Sequence, residues 1–173
     1  MRKITSIIII SIITILIAIL IFLTTAGIKT DNFNSLINEK VKEIDPKIKL
    51  KLNQVNFKLN PSNLEFEIFT LDPHLLVNEK KVDLEIIKSD LNLLDYLNNK
   101  NPISELSIIS KESNVDQFID FINEYDFNLA RNLIFKQIKQ GKVKIISKIN
   151  FNENNPQNIK YIINGYVKDA EIK

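Results

Sequence analysis

The stretch VNFKLNPSNLEFEI, Val55 to Ile68, alternates apolar and polar residues on both sides of a proline turn. Val55, Phe57 and Leu59 alternate with Asn56 and Lys58; Leu64, Phe66 and Ile68 alternate with Glu65 and Glu67. A period of two marks a β-strand with one face buried. Asn60-Pro61-Ser62-Asn63 reads as the turn, with Asn at its first position and Pro at its second. Folding about it opposes Leu59 to Leu64, Phe57 to Phe66 and Val55 to Ile68, and on the other face Lys58 to Glu65 and Asn56 to Glu67. A one-residue slip would destroy both patterns. The fold is therefore read as one-sided antiparallel hairpins.

Upstream, Ile48, Leu50 and Leu52 alternate with Lys47, Lys49 and Lys51, and the phase slips at Asn53-Gln54. The slip predicts a bulge or a break between two strands. Before it, Phe33, Ile37, Val41 and Ile44 recur at helical spacing. They predict a helix over 31–44, capped by Thr30 or Asp31 and ended at Asp45-Pro46. Thr24 to Thr30 reads as a polar link.

Twenty residues without a charge, Ile4 to Leu23, come first. At ~1.5 Å per residue they span roughly 30 Å, the thickness of a bilayer's hydrocarbon core. Arg2 and Lys3 on the short side place the N-terminus in the cytoplasm and send the rest across the membrane. The apolar run is longer than the ~7–15 residues of a cleaved signal peptide, so it is read as an anchor; Thr24-Thr25-Ala26 is the weak cleavage site of the rival reading. The division is then residues 1–3 as a cytoplasmic tip, 4–23 as a transmembrane helix, 24–30 as a link and 31–173 as one exported α+β domain.

Downstream of Asp72-Pro73 a second hairpin is expected, with Leu75 and Val77 against Val82 and Leu84 around Asn78 to Lys81, and Ile86 extending its apolar face. Ser89 or Asp90 is expected to start a helical turn through Leu94 and Leu97. Pro102 opens a strand with Leu106 and Ile108 on one face. Val115, Phe118, Ile119 and Ile122 form a helical stripe. Leu129, Leu133, Ile134 and Ile138 form another, stopped by Gly141 as a C-cap. The last hairpin alternates Val143, Ile145, Ile149 and Phe151 against Ile159, Tyr161, Ile163 and Val167, with Gly165 opposite Ile145. Lys168-Asp169 reads as a further turn. A strand that begins at Ala170 and stops at Lys173 suggests that more sequence follows in the natural protein.

Chemistry leaves little trace. Arg2 and Lys3 account for the whole net charge of +2, so residues 31–173 carry no basic excess of the kind that binds nucleic acid. With no Cys and with His74 the single histidine, no His/Cys metal cluster and no disulfide is available. Gly27, Gly141 and Gly165 are the only glycines, and they build no phosphate loop. His74 beside a Pro turn reads as a surface or packing residue, and no enzyme, metal or cofactor is expected. The apolar hairpin faces are the remaining feature. Their candidates for contact with acyl chains are Val55, Phe57, Leu59, Leu64, Phe66, Ile68, Val143, Ile145, Ile149, Phe151, Tyr161 and Ile163. An ordinary filled core is the alternative use of the same face.

Several passages resemble the N-terminal part of the AsmA-like family, the TamB- and YhdP-type proteins. They are Leu36-Ile37-Asn38-Glu39-Lys40 through Pro46-Lys47-Ile48-Lys49-Leu50, Leu71-Asp72-Pro73 through Val82-Asp83-Leu84 to Leu91-Asn92-Leu93-Leu94 and Pro102-Ile103, and Ile163-Asn164-Gly165-Tyr166-Val167-Lys168-Asp169-Ala170. The resemblance implies a single-pass inner-membrane anchor and a curved periplasmic β-groove with a helical insertion. It further implies phospholipid acyl chains as ligand, transport between membranes or outer-membrane biogenesis as role, and other cell-envelope proteins as partners. Two alternatives are an LptC-like component of lipopolysaccharide export and an anchored scaffold without ligand.

Overall fold

A computed structural model of the chain describes residues 2–44, 46–78, 80–125, 138–151 and 159–172. It is an α+β molecule: a long apolar helix, then an antiparallel sheet curled into a half-barrel with short helical insertions. In chain order the elements are α1 (Arg2–Thr25), β1 (Ile28–Thr30), α2 (Asn34–Ile44), β2 (Ile48–Lys51), β3 (Val55–Asn60), β4 (Glu65–Leu71), β5 (His74–Val77), β6 (Lys80–Asn92), α3 (Leu93–Leu97), β7 (Ile103–Ser110), β8 (Ser113–Asn114), α4 (Val115–Tyr125), β9 (Ile138–Phe151) and β10 (Ile159–Ile172). The sheet runs β1-β3-β4-β6-β7-β9-β10, with β2 on β5, β5 on β6 and β8 on β9.

α1 is long and apolar enough to cross a membrane or to act as a signal sequence. Its side chains from Ile4 to Phe22 are exposed on every side. The amides of Ala26 and Gly27 both donate to the Phe22 carbonyl, each at 2.9 Å, and close the helix. Gly27 has φ +68°, and a Cβ there would stand 2.5 Å from the Phe57 carbonyl oxygen, so this position needs glycine. The segment 24–30, read as a link, thus ends the helix and places Ile28–Thr30 on the edge of β3, with Ile28 opposite Phe57.

The short strands assemble into longer ones. Leu50 opposes Leu75 and Val55 opposes Thr70, five steps along each strand, so β2–β3 and β4–β5 are each one strand with an interruption. His74 opposes Asp83 and Leu71 opposes Ile86, so β4–β5 pairs with β6 along its whole length. The phase of the apolar residues changes at the interruptions, from Leu50 to Val55 and from Thr70 to Leu75. It changes in β6 as well, where Leu84 opposes Ser110 but Ile86 opposes Ile109: two steps on β6 against one on β7. An extra residue at one level in three neighbouring strands keeps their mutual register and leaves each with a single apolar face. Such bulges bend and twist a sheet, and they account for its curl. Asp72, at φ +51°, marks the level in β4–β5. There its amide donates to the Glu85 carbonyl at 3.0 Å, and Leu84 donates to the Pro73 carbonyl at 2.9 Å.

The break at Asn53-Gln54 is thus present. Three hairpin expectations need correction. Leu59 opposes Phe66, Phe57 opposes Ile68 and Lys58 opposes Glu67, two residues from the predicted register. The turn is Pro61–Leu64, with Leu64 at φ +54° and outside the ladder. In the second hairpin Leu75 opposes Val82 and Val77 opposes Lys80, leaving two residues in the turn. A shift of two keeps every side chain on its face, so alternation alone does not detect it. Third, Asp72-Pro73 interrupts one hairpin and does not separate two, and beyond the bulge Ile87, not Ile86, carries the apolar face onward.

Other expectations shift by local chemistry. α3 is capped by Asn92, whose side chain accepts from the Leu94 and Asp95 amides; Ser89 and Asp90 belong to β6. Ile138 opens a strand, and Gly141 lies inside it with φ +147°, not at a helix end; a Cβ there would meet the Lys168 carbonyl oxygen at 2.9 Å. Leu129, Leu133 and Ile134 lie outside the described residues. β10 continues through Lys168-Asp169, where the ladder is irregular and Asp169 has φ +51°, so no hairpin turn forms there. The last hairpin keeps its predicted partners, including Gly165 opposite Ile145, Tyr161 opposite Ile149 and Val167 opposite Val143.

The core gathers at one end of the curled sheet. Leu50, Val77, Val82, Leu84 and Phe121 are buried there, with Ile37 and Val41 of α2 and Phe118 of α4 packed on them.

Candidate apolar groove

Away from that filled end the same face of the sheet continues. Val55, Thr70, Ile87, Ile108, Ser147 and Ile163 form one row across six strands. Phe57, Ile68, Ser89, Leu106, Ile149 and Tyr161 form the next. Leu59, Phe66, Leu91 and Ile103 begin a third. α2 and α4 reach the first row, where Ile87 and Ile108 pack against the core cluster. Ile68, Leu106, Ile149, Leu59, Phe66 and Leu91 are half-buried and lie outside that cluster. Phe33, just before α2, rests its ring on Phe57 at 5.4 Å between centroids. The result is a curved apolar groove over the second and third rows.

The opposite face carries the ion pairs. Lys88 pairs with Glu67 at 2.7 Å, Lys148 with Glu105 at 3.0 Å, and Lys144 with Glu85. These pairs are partly solvated and contribute little stability singly. Their consequence is a difference in charge: the ion pairs lie on this face, which also carries the apolar row Leu71, Ile86, Ile109 and Ile146, whereas the three groove rows carry no charged residue. Asp90 stands opposite Glu67 on the ionic face. Burial, with Glu67, Glu65 and Glu105 nearby, raises its pKa above the ordinary 3.8 against the pull of Lys88.

The twelve predicted groove residues divide by position. Phe57, Leu59, Phe66, Ile68, Ile149 and Phe151 are half-buried on the groove face. Val55 and Val143 are 2% and 3% exposed, so they are filled core and offer no surface to a ligand. Ile145 lies beside the buried Ser110, whose hydroxyl accepts its amide at 2.8 Å. Tyr161 and Ile163 are exposed on the edge strand β10, and Leu64 is exposed in its turn. Leu91 and Ile103 are not among the twelve, because their segments read as helix and as strand start. Leu106 was read on a strand face, but only strand order places it at the groove's centre.

Elsewhere two polar clusters are internally paired. His74 Nδ1 lies 2.7 Å from Asp83 Oδ1, and Lys81 Nζ reaches the same oxygen at 2.9 Å. Burial would raise the Asp83 pKa, but Lys81 and His74 outweigh it and hold it below the ordinary value. A cavity of about 270 Å³ lies between β6 and α4, lined in part by Lys80, Lys81, Asp83, Gln117 and Asp120. Its charges neutralise each other, Lys80 with Asp120 at 3.4 Å and Lys81 with Asp83.

No family model, curated protein or solved structure matches the chain.

Proposed function

We propose that this protein is a membrane-anchored carrier whose curved groove shelters the acyl chains of phospholipid. The support is the row running through Ile68, Leu106 and Ile149: apolar, half-buried and outside the cluster that α2 and α4 cover. A face that only closed a core would be expected to carry its helices along its full length, and among the described residues α2 and α4 stop at the first row. In this reading α1 spans the inner membrane, the sheet lies in the periplasm, and the protein acts by binding, not by catalysis. The role is that of the AsmA-like proteins its sequence resembles, phospholipid transport between membranes or outer-membrane biogenesis, alongside other cell-envelope proteins.

In-cell photocrosslinking tests it, with the probe at Phe66 or Ile149 and, as a control on the ionic face, at Lys160. Lipid adducts at Phe66 and Ile149 and none at Lys160 are the expected result. A folded protein with no adduct at any site would reduce the groove to core and leave an anchored scaffold.

A further inference from the structure

The two ends of the curled sheet differ in what their connections expose. At the filled end the described ones are polar, with Asn78, Lys111 and Glu112. At the open end Leu64, Leu94, Tyr96 and Leu97 are 46%, 50%, 64% and 74% exposed. These four belong to adjoining segments: Leu64 ends the β3–β4 turn, its carbonyl accepts the Leu93 amide at 3.0 Å, and Leu93 opens α3. Four large apolar side chains on one tip are more than solubility favours.

α1 reaches the sheet at the same end. Its last turn lies against β3, with Leu23 and Thr24 half-buried. Gly27 sits on Phe57 and Lys58, after which β1 runs away from the tip toward Val55. Lys58 is two residues from the end of β3, a rise of about 7 Å, and β6 is two strands over, about 10 Å. The link from Thr25 to Ile28 has only Ala26 and Gly27 in it, closed by the two bonds to Phe22. The end of β6, where α3 begins, is therefore roughly 12 Å from the point where the membrane helix leaves the sheet.

We propose that Leu64, Leu94, Tyr96 and Leu97 seat this end of the sheet in the interfacial layer of the same membrane that α1 crosses, so that the open groove meets the lipid leaflet directly. Leu supplies apolar area at shallow depth, and Tyr suits the headgroup level, with an apolar ring and a polar tip. The inference rests on α1 remaining in the membrane. It adds to the carrier reading the place where acyl chains enter.

The chain has no Trp, so one introduced Trp reports alone. The full chain is reconstituted in phosphatidylcholine vesicles, plain or dibrominated, as Leu97→Trp, as Tyr96→Trp and, at an exposed position on β2 near the filled end, as Lys49→Trp. Brominated lipid is expected to remove most of the emission at positions 96 and 97 and none at 49. No quenching at 96 and 97 in a chain that stays with the vesicles through an alkaline wash overturns the docking and leaves the anchor standing. Equal quenching at all three positions overturns it too, because the sheet would then lie along the membrane. A chain that washes off overturns both docking and anchor. Crosslinking inside the groove is read separately, so failure of the carrier reading is distinguishable.

Discussion

The filled end of the half-barrel and its open end share one sheet, one alternation and similar side chains, yet they differ in what packs on them. At the filled end Leu50, Val77, Val82 and Leu84 lie under α2 and α4 and are nearly inaccessible. At the open end Leu59, Phe66, Leu106 and Ile149 have the same chemistry and, among the described residues, lie outside the cluster that α2 and α4 cover; each is half-buried. In the reading proposed above, the same kind of apolar strand face supplies stability at one end and a binding surface at the other. Stability is expected to concentrate at the filled end and ligand chemistry at the open one.

The largest test of that division is Val77→Asp. Val77 has no exposed surface, so a carboxylate there is buried without a partner. A loss of roughly 4 kcal/mol or more is expected, enough to abolish cooperative thermal unfolding. A variant that still melts cooperatively near the parent temperature would remove the distinction between the ends. Next is Phe66→Asp. In a half-buried groove the lost transfer energy is about 1–2 kcal/mol, so a folded protein with a lowered Tm is expected. Its lipid adducts at Ile149 should fall sharply, whereas Glu67→Gln on the other face should leave them unchanged. Unfolding as complete as that of Val77→Asp would make the open end core as well.

The smallest effect is electrostatic. Burial, with Glu67 directly opposite, raises the Asp90 pKa in the folded state against the pull of Lys88. Folding therefore loses stability as pH climbs from the ordinary 3.8 through the raised value, and the cost is complete above it. Asp90→Asn is expected to raise Tm at pH 7 by about 1–3 °C, from a like-charge pair worth roughly 0.2–1 kcal/mol. The gain should vanish once pH falls below the unfolded value and both carboxyls are neutral. A gain that persists in acid would point to a cause other than charge.

Much of this contrast is legible in the residues. The one-sided strands, the membrane-length helix, α2 with Ile37 and Val41 inward, and the Gly165–Ile145 opposition all follow from local pattern. Phe57, Leu59, Phe66, Ile68, Ile149 and Phe151 were placed on the correct face by alternation alone. Val55 and Val143 belong to the same alternation but fall under the core, which their local sequence does not distinguish. Leu91 escaped because the Asn92 cap lies one residue beyond it, and the helical reading absorbed both.

By itself, then, the sequence determined which side chains share a face and which segment is long enough for a membrane. Both are properties of spacing, set by periods of 2 and 3.6 that a short window displays. Tertiary structure decided the register, since a two-residue shift conserves every face and only turn geometry and neighbouring strands select between alternatives. It also joined β2 to β3 and β4 to β5 through bulges at a common level, a match between strands distant in sequence. Most of all it decided which part of one apolar face lies under α2 and α4 and which part they leave, because that depends on where the two helices come to rest.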